Sequence, residues 1–514
     1  MTSRTCVLNL GLKSMRCAVF EDDGRLLAIA HRPIETLMGE GRVEQDPADW
    51  WRAALEVMDE VLADRGLAAS VRRITVTGSA GCLVALDAAG TPVRPAIMIS
   101  DVRAREQAER IAREAAFVAL GAPGGRVTPD LMLPKVLWFR EAEPELDAGT
   151  RWYAAPNDFL VHRLTGEVVT DPDNATKFLH DGPGGDYPRA LLHALEVPLE
   201  RLPPVSPRRG STLDLRTDLR ERYGLPGDVR VVLSSYDAIC AVYGSGVAGL
   251  GDACDVSGTV TSFRAVTDRR LRDSEGRLFL LPHVGDGRYL AGGSNNLGGG
   301  VVEWAKQTLY PDDPNPYDTM IAECLDAPPG AAGLMFLPYL LGERAPVWDP
   351  NARGVFFGLG RNHGRSDMIR AIFEGVGYSV LDIAQRLRDM GVDIRRVVAS
   401  GGLARLEPVV AIKADMLGVP VTLTEELETT ALGAALVAGL NCGDWESIDS
   451  ATTACIRYSR THEPAPERTA MYLDFFGLYR EVYGRLRETF AIRQDLISRH
   501  SQVLRTELAR SENL

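Results

Sequence analysis

Residues 5–24 read TCVLNLGLKSMRCAVFEDDG. Two short apolar, strand-like runs are pinched together at Gly11, with Lys13, Ser14 and Arg16 just past the bend. Glycine at such a bend lets the backbone approach an anion closely, and the nearby N–H groups can receive phosphate oxygens. A loop of this kind that handles a metal would carry a carboxylate at position 9, yet the chain has Asn9. The stretch therefore reads as a phosphate loop with one unexpected residue.

The same pattern returns in the second half. VLNLGLKSMRCAV (7–19) and CDVSGTVTSFRAV (254–266) align without a gap, Gly11 falling on Gly258 and both ending in Ala-Val. The match predicts two halves that each begin with a glycine-bent hairpin, meeting near 244–250. A third glycine turn, Ser400-Gly401-Gly402, also follows a β-like run. One such turn means little; three in one chain favour a nucleotide cleft between domains.

Length and composition agree with a globular α/β chain. Its 514 residues call for two to four domains, and 45% are hydrophobic, with 50 glycines. The formal charge, 57 − 70 = −13, gives no general attraction to nucleic acid or anionic membrane. No run reaches the roughly 18 apolar residues of a membrane span. The eight cysteines show no CxxC pairing, which argues against zinc sites and a disulfide scaffold. The N-terminus runs straight into a strand pattern, so a cytoplasmic protein is expected.

Along the chain, EDDG (21–24) predicts a turn into a third strand, and Asp46-Pro47 caps a helix that Gly66 should stop. DVRVVLSSYDAICAVYGSG (228–246) reads as a strand running into a helix. TTALGAALVAGL (429–440) is a small-residue helix, and the charged tail from about 467 reads as a terminal helix packed on one face. GSGVAG (244–249) fits GxGxxG but follows a helix rather than a strand, so a dinucleotide loop fails its context test. GLKS (11–14) lacks the upstream glycine of a Walker loop, since position 6 is Cys. Asp237, at the start of a helix after a strand, is either a helix N-cap or a general base at the mouth of a cleft.

These motifs together resemble the FGGY carbohydrate kinases, which phosphorylate sugars and polyols with ATP. GVFFGLGRNHGRSDMIRAIFE (354–374) fits that family's second signature, and KVLWFRE (135–141) is a near match to the first. VEQDPADWW, VALDAAGTPVRPAI, LTGEVVTDPDNAT, LPYLLGERAPVWDP and the C-terminal SGG and ALGAA follow in the family's order, from about residue 5 to 480. The resemblance implies an α/β protein of two actin-like ATPase (ribonuclease H-like) domains with the active site in the cleft between them. The expected limits are 1–246 for an N-terminal domain with the sugar site, first phosphate loop and base; 247–466 for a C-terminal nucleotide-binding domain; and 467–514 for a helical tail.

By that resemblance Asp237 is the base, and Gly11, Ser14 and Arg16 form the first phosphate loop. Gly258 and Thr259 form the second, Gly299 is a nucleotide-contact glycine, and Gly401 and Gly402 form the adenosine loop. ATP and Mg²⁺ are the implied cofactors, with Asn9 and Asp237 on the metal side. Family members usually carry Asp and Thr where this chain has Asn9 and Leu12. Asn keeps a metal-binding carbonyl but loses the charge, and Lys13 either offsets that loss or is a solvated turn residue.

On the sugar side, Ser79, Ala80, Gly81 and Cys82 replace the Gln-Met-His-Gly of xylulokinases, and Cys82 is equally an ordinary buried small residue. Asp101 and Arg103 remain as hydroxyl-binding groups. The implied reaction is phosphoryl transfer to a small sugar or polyol, a xylulose-like ketopentose first and gluconate, ribulose or a cyclitol as alternatives. Asn9 and Leu12 also motivate a sugar-binding pseudokinase without transfer. No nucleic-acid or membrane partner is expected, and a homodimer is compatible with the resemblance.

Overall fold

The glycine-bent hairpin forms where the sequence places it. In the computed structural model, which describes residues 3–500 except 40, 121–125, 181–184, 211, 272, 274 and 286, strands β1 (Arg4–Leu10) and β2 (Ser14–Glu21) pair antiparallel. The Gly11 N–H donates to the Ser14 carbonyl at 2.9 Å and closes the turn. Strand β3 (Leu26–Pro33) follows the expected turn, closed by Gly24 N–H on the Glu21 carbonyl at 3.0 Å. Cys6 to Leu10 of β1 are almost all apolar because both faces of the strand are covered.

Helix α1 (Pro47–Val61) starts as its sequence dictates: the Asp46 side chain accepts the Ala48 N–H and Pro47 sits in the first turn. Trp50, Ala53, Ala54, Val57, Met58 and Val61 form its buried stripe. The helix ends before the expected stop at Gly66. Asp64 accepts the N–H groups of Gly66 and Leu67 and so starts a new short helix, Arg65–Ala68.

Strands β4 (Val71–Gly78), β5 (Thr212–Asp214) and β6 (Arg230–Leu233) complete the first sheet, in the order β5-β6-β4-β1-β2-β3. The central β1, β4 and β6 are parallel. Helix α2 (Asp237–Gly244) leaves the end of β6.

The second sheet repeats the plan. Strands β7 (Asp252–Ser257) and β8 (Thr261–Thr267) form the second glycine-bent hairpin, and β9 (Tyr289–Ser294) flanks β8. After helices α3 (Gly299–Leu309) and α4 (Arg365–Asp389), strand β10 (Arg396–Ser400) lies parallel to β7. Helix α5 (Glu407–Leu417) leads to β11 (Val421–Thr424), parallel to β10, and β12 (Tyr458–His462) closes the edge antiparallel. Apart from a further edge strand, Phe279–Pro282, next to β9, the order β9-β8-β7-β10-β11-β12 matches β3-β2-β1-β4-β6-β5. Each sheet thus contains the glycine-bent hairpin that the repeat predicts, in the actin-like arrangement that the family resemblance implies.

The compact units interleave along the chain. One comprises Met1–Gly249, Asp268–Leu290 and Glu425–Arg457; the other comprises Leu250–Thr267, Ala291–Thr424 and Tyr458–Leu514. The limits read from the sequence, 1–246 and 247–466, are continuous by contrast. Helix α6 (Thr429–Cys442) is the reason for the return to the first unit. A Cβ on Gly433 would lie 1.8 Å from the Cys240 carbonyl, and one on Gly244 would lie 1.7 Å from that of Thr429. Only glycines permit α2 and α6 to touch backbone to backbone. Within the second unit, terminal helix α7 (Pro466–Arg499) buries Tyr472, Phe476, Tyr479 and Val482. Residues 501–514 of the expected tail lie outside the described residues. Among the described residues no helix is long and apolar enough to cross a membrane.

Candidate active site

Parallel strands deliver their C-terminal ends to one edge of a sheet, where α/β proteins place their chemistry. At that edge of the first unit Asn9 on β1 lies opposite Thr77 on β4. Asp237 is the first residue of α2, and the N-cap position belongs to Tyr236, which makes no side-chain cap. The Asp237 Oδ2 accepts a hydrogen bond from Ser79 Oγ at 3.1 Å, and Oδ1 accepts the Ala238 N–H at 2.6 Å. The half-buried Asp237 carboxylate thus stands at the N-terminus of α2, the end of the helix dipole that favours an anion.

Several buried polar atoms at this edge lack a hydrogen-bond partner among the described residues: Asn9 Oδ1, Ser235 Oγ and Asn157 Oδ1. Buried amide oxygens are nearly always satisfied in a finished core, so such a set marks a place built to meet something else. Asn9 is only 6% exposed. Its amide oxygen and the Asp237 carboxylate suit a Mg²⁺ that arrives on a nucleotide, since Mg²⁺ keeps water and phosphate ligands and needs few from protein. Among the described residues, no group of three or more His, Cys, Asp or Glu side chains is placed to hold a metal alone.

The β1–β2 turn, predicted to hold a phosphate, is pinned from both sides. The Leu12 carbonyl accepts from Gln45 Nε2 at 2.8 Å, and the Lys13 carbonyl accepts from the Ile34 N–H at 2.9 Å. The Leu12 and Lys13 side chains are exposed, whereas Arg16 is paired with Glu428 at 3.1 Å.

In the loop after β4, the Ser79 N–H donates to the Leu10 carbonyl at 3.1 Å, tying this loop to β1. Gly81 has φ +73°, and a Cβ there would lie 2.2 Å from the Asp130 carbonyl. Lys135 is fully buried and donates to the Gly81 and Pro129 carbonyls, both at 2.8 Å. Desolvation pushes its pKa down to about 8. The Cys82 thiol is fully buried and desolvation pushes it up to about 12, so it behaves as a small apolar group.

Asp101 and Arg103 interlock: Arg103 Nε and Nη2 donate to the two Asp101 oxygens at 2.8 and 2.6 Å. Burial works to raise the Asp101 carboxyl, but these bonds and the Val43 N–H outweigh it and hold it below the ordinary value. Arg103 Nη2 also pairs with Glu44 at 2.7 Å, and its guanidinium lies 4.7 Å over Trp138. Arg103 Nη1 has no hydrogen-bond partner among the described residues.

In the second unit the residues predicted to meet a nucleotide converge on the β7–β8 turn. The Gly258 N–H closes the turn on Val260, and the Gly258 carbonyl accepts the Gly299 N–H at 2.8 Å. The Thr259 carbonyl accepts from Gly298 and Gly300 at 2.9 and 3.0 Å. Gly401, with φ +87°, fits so close to β7 that a Cβ would lie 2.6 Å from the Ser257 carbonyl. All five predicted residues of this unit therefore belong to one cluster of turns.

Four residues in contact with the predicted ones or their chain neighbours were not singled out from the sequence. Lys135 appeared only as part of a signature, and Asn157 and Ser235 carried no motif. Lys177, whose ammonium lies 4.7 Å from the ring of Tyr236, is brought to that residue only by the fold.

Comparison with known proteins gives the family of the chain. The models of the FGGY family of carbohydrate kinases match residues 5–244 (N-terminal domain) and 255–442 (C-terminal domain). A xylulose kinase of Bacillus subtilis (strain 168) is 26% identical over 485 residues, 94% of this chain and 97% of that protein. A glycerol kinase of Shewanella sp. (strain W3-18-1) is 30% identical over 466 residues, 87% of this chain and 92% of that one. The crystal structure of xylulose kinase from Rhodospirillum rubrum superposes with a TM-score of 0.85 at 27% identity, covering 95% of this chain and 100% of that one.

Proposed function

We propose that this chain, which belongs to the FGGY family of carbohydrate kinases, transfers the γ-phosphoryl group of ATP to a hydroxyl of a xylulose-like ketopentose. The observation that carries the reading is Asp237 at the start of α2, oriented by Ser79 at 3.1 Å. Asp237 takes the proton of the attacking hydroxyl, which makes the oxygen nucleophilic as it approaches phosphorus. Gly11, Lys13, Ser14 and Arg16 in the first unit, and Gly258, Thr259, Gly299, Gly401 and Gly402 in the second, contact the nucleotide. Bound Mg²⁺ supplies charge neutralisation on the phosphates, with Asn9 and Asp237 the residues that hold it. Ser79, Ala80, Gly81, Cys82, Asp101 and Arg103 shape and orient the sugar side, and Lys135 fixes the backbone of that loop. The enzyme works in the cytoplasm, as a monomer or homodimer, with no nucleic-acid or membrane partner.

A second reading, an aldonate such as gluconate, draws on Lys177, whose ammonium lies 4.7 Å from the ring of Tyr236, the residue before the base. Purified protein incubated with ATP, Mg²⁺ and a panel of ketopentoses, aldonates, polyols and cyclitols decides between them by ADP release. Release with xylulose supports the first reading, and release with gluconate alone the second. No release with any acceptor, despite nucleotide binding, would leave a sugar-binding pseudokinase.

A further inference from the structure

Strand β7 carries an ion pair where its surroundings call for apolar residues. Asp255 is 1% exposed and Lys413, on α5, is 3% exposed among buried Val410, Ile412, Ala414 and Met416. Lys413 Nζ donates to Asp255 Oδ2 at 2.5 Å and to Ser257 Oγ at 2.9 Å. Ser257 Oγ donates to Asp255 Oδ1 at 2.6 Å and lies 3.1 Å from Thr261 Oγ1. A hydroxyl has one proton, and that of Ser257 goes to Asp255. Thr261 is therefore the donor in the last contact, and Ser257 is fully satisfied by one bond given and two received.

The cost of this arrangement argues that it does something besides hold the core. Two desolvated charges rarely stabilise a fold more than well-packed apolar residues of the same volume. The network also stands at one particular place. Ser257 is the residue before Gly258, and Thr261 is its cross-strand partner at the base of the β7–β8 turn. Gly401 packs against the Ser257 carbonyl, and a Cβ on Gly298 would meet Thr261 Oγ1 at 1.9 Å. Lys413 sits on the helix that follows the Gly401-Gly402 turn. One ammonium thus joins the strand that ends in the second phosphate turn to the helix that begins after the adenosine turn.

We propose that Lys413, Asp255 and Ser257 are positioning residues for nucleotide binding, a clamp that fixes the spacing between the Gly258-Thr259 and Gly401-Gly402 turns. The inference rests on the assignment of those turns to the nucleotide. It predicts a defect confined to ATP and ADP, with sugar affinity untouched, because the clamp lies wholly in the second unit.

The test compares the full-length wild type with the double variant Lys413→Met/Asp255→Leu and the single variant Ser257→Ala. Both charges leave together in the double variant, so no unpaired charge is buried and the fold is retained. MgADP titrated by calorimetry without sugar reads the nucleotide site directly, while thermal melting reads the fold and sugar KM reads the other unit. The expected result is about tenfold weaker MgADP binding in the double variant and about threefold in Ser257→Ala. Melting temperature and sugar KM stay near the wild-type values. Unchanged MgADP affinity in a folded double variant overturns the clamp and leaves the kinase assignment standing. If the double variant fails to fold, Ser257→Ala decides, and wild-type affinity there overturns the clamp. A wild type that binds no MgADP overturns the nucleotide assignment and the clamp with it.

Discussion

Ser79 Oγ donates a 3.1 Å hydrogen bond to Asp237 Oδ2, linking the residue after β4 to the first residue of α2. The second carboxylate oxygen takes the Ala238 N–H. These two donors hold the carboxylate in its rotamer. Removing the serine donor by Ser79→Ala frees that rotamer without touching the charge. We expect kcat to fall about tenfold with the ATP KM unchanged, measured by coupled ADP assay. A larger ATP KM at constant kcat would place Ser79 on the nucleotide side instead.

Asn9 offers an amide oxygen where a carboxylate would handle a metal more strongly. The variant Asn9→Asp should lower the Mg²⁺ concentration for half-maximal activity. Position 9 is only 6% exposed, so the new carboxylate is costly without its cation. The melting temperature of the variant should therefore rise on adding Mg²⁺ with nucleotide, and by more than that of the wild type. A variant that needs more Mg²⁺ would mean that the loop is tuned around the amide.

Lys135 is buried with its pKa lowered to about 8. Between that value and the unfolded one near 10.4 the unfolded chain binds more protons, so this group makes stability rise with pH. Below pH 8 the buried charge costs up to about 3 kcal/mol, offset by its bonds to the Gly81 and Pro129 carbonyls. In Lys135→Met that rise between pH 8 and 10 should disappear from denaturant-unfolding curves. Loss of the Gly81 anchor should also raise the sugar KM severalfold and leave the ATP KM alone. A pH-stability slope identical to the wild type would contradict the buried ammonium.

How much of this was legible depends on the range of each interaction. The hairpins at Gly11 and Gly258 could be read because a glycine bend between strand runs is a local signal, and their alignment foretold the matched sheets. The start of α1 was equally local, but its end was not, because Asp64 caps a new helix before Gly66 is reached. The return of α6 to the first unit could not be read, since a stripe of small residues says that something packs close without saying what. Asp237 was placed correctly at a strand–helix junction; only the fold shows it at the first helical position with Ser79 as donor. Asp255 and Lys413 are 158 residues apart, and each alone is one charged residue in an apolar run. Their pairing is a tertiary fact.

The central claim is that Asp237 accepts the proton during phosphoryl transfer, and phosphorus NMR of product formation tests it most directly. Wild type and Asp237→Asn would each be mixed with ATP, Mg²⁺ and xylulose, and the sugar phosphate resonance followed in time. Asparagine keeps the shape and the contact with Ser79 but cannot take the proton. The account predicts that the phosphate ester forms about 10²–10⁴ times more slowly in the variant, with MgADP affinity by calorimetry unchanged. Ester formation at the wild-type rate in Asp237→Asn would contradict it.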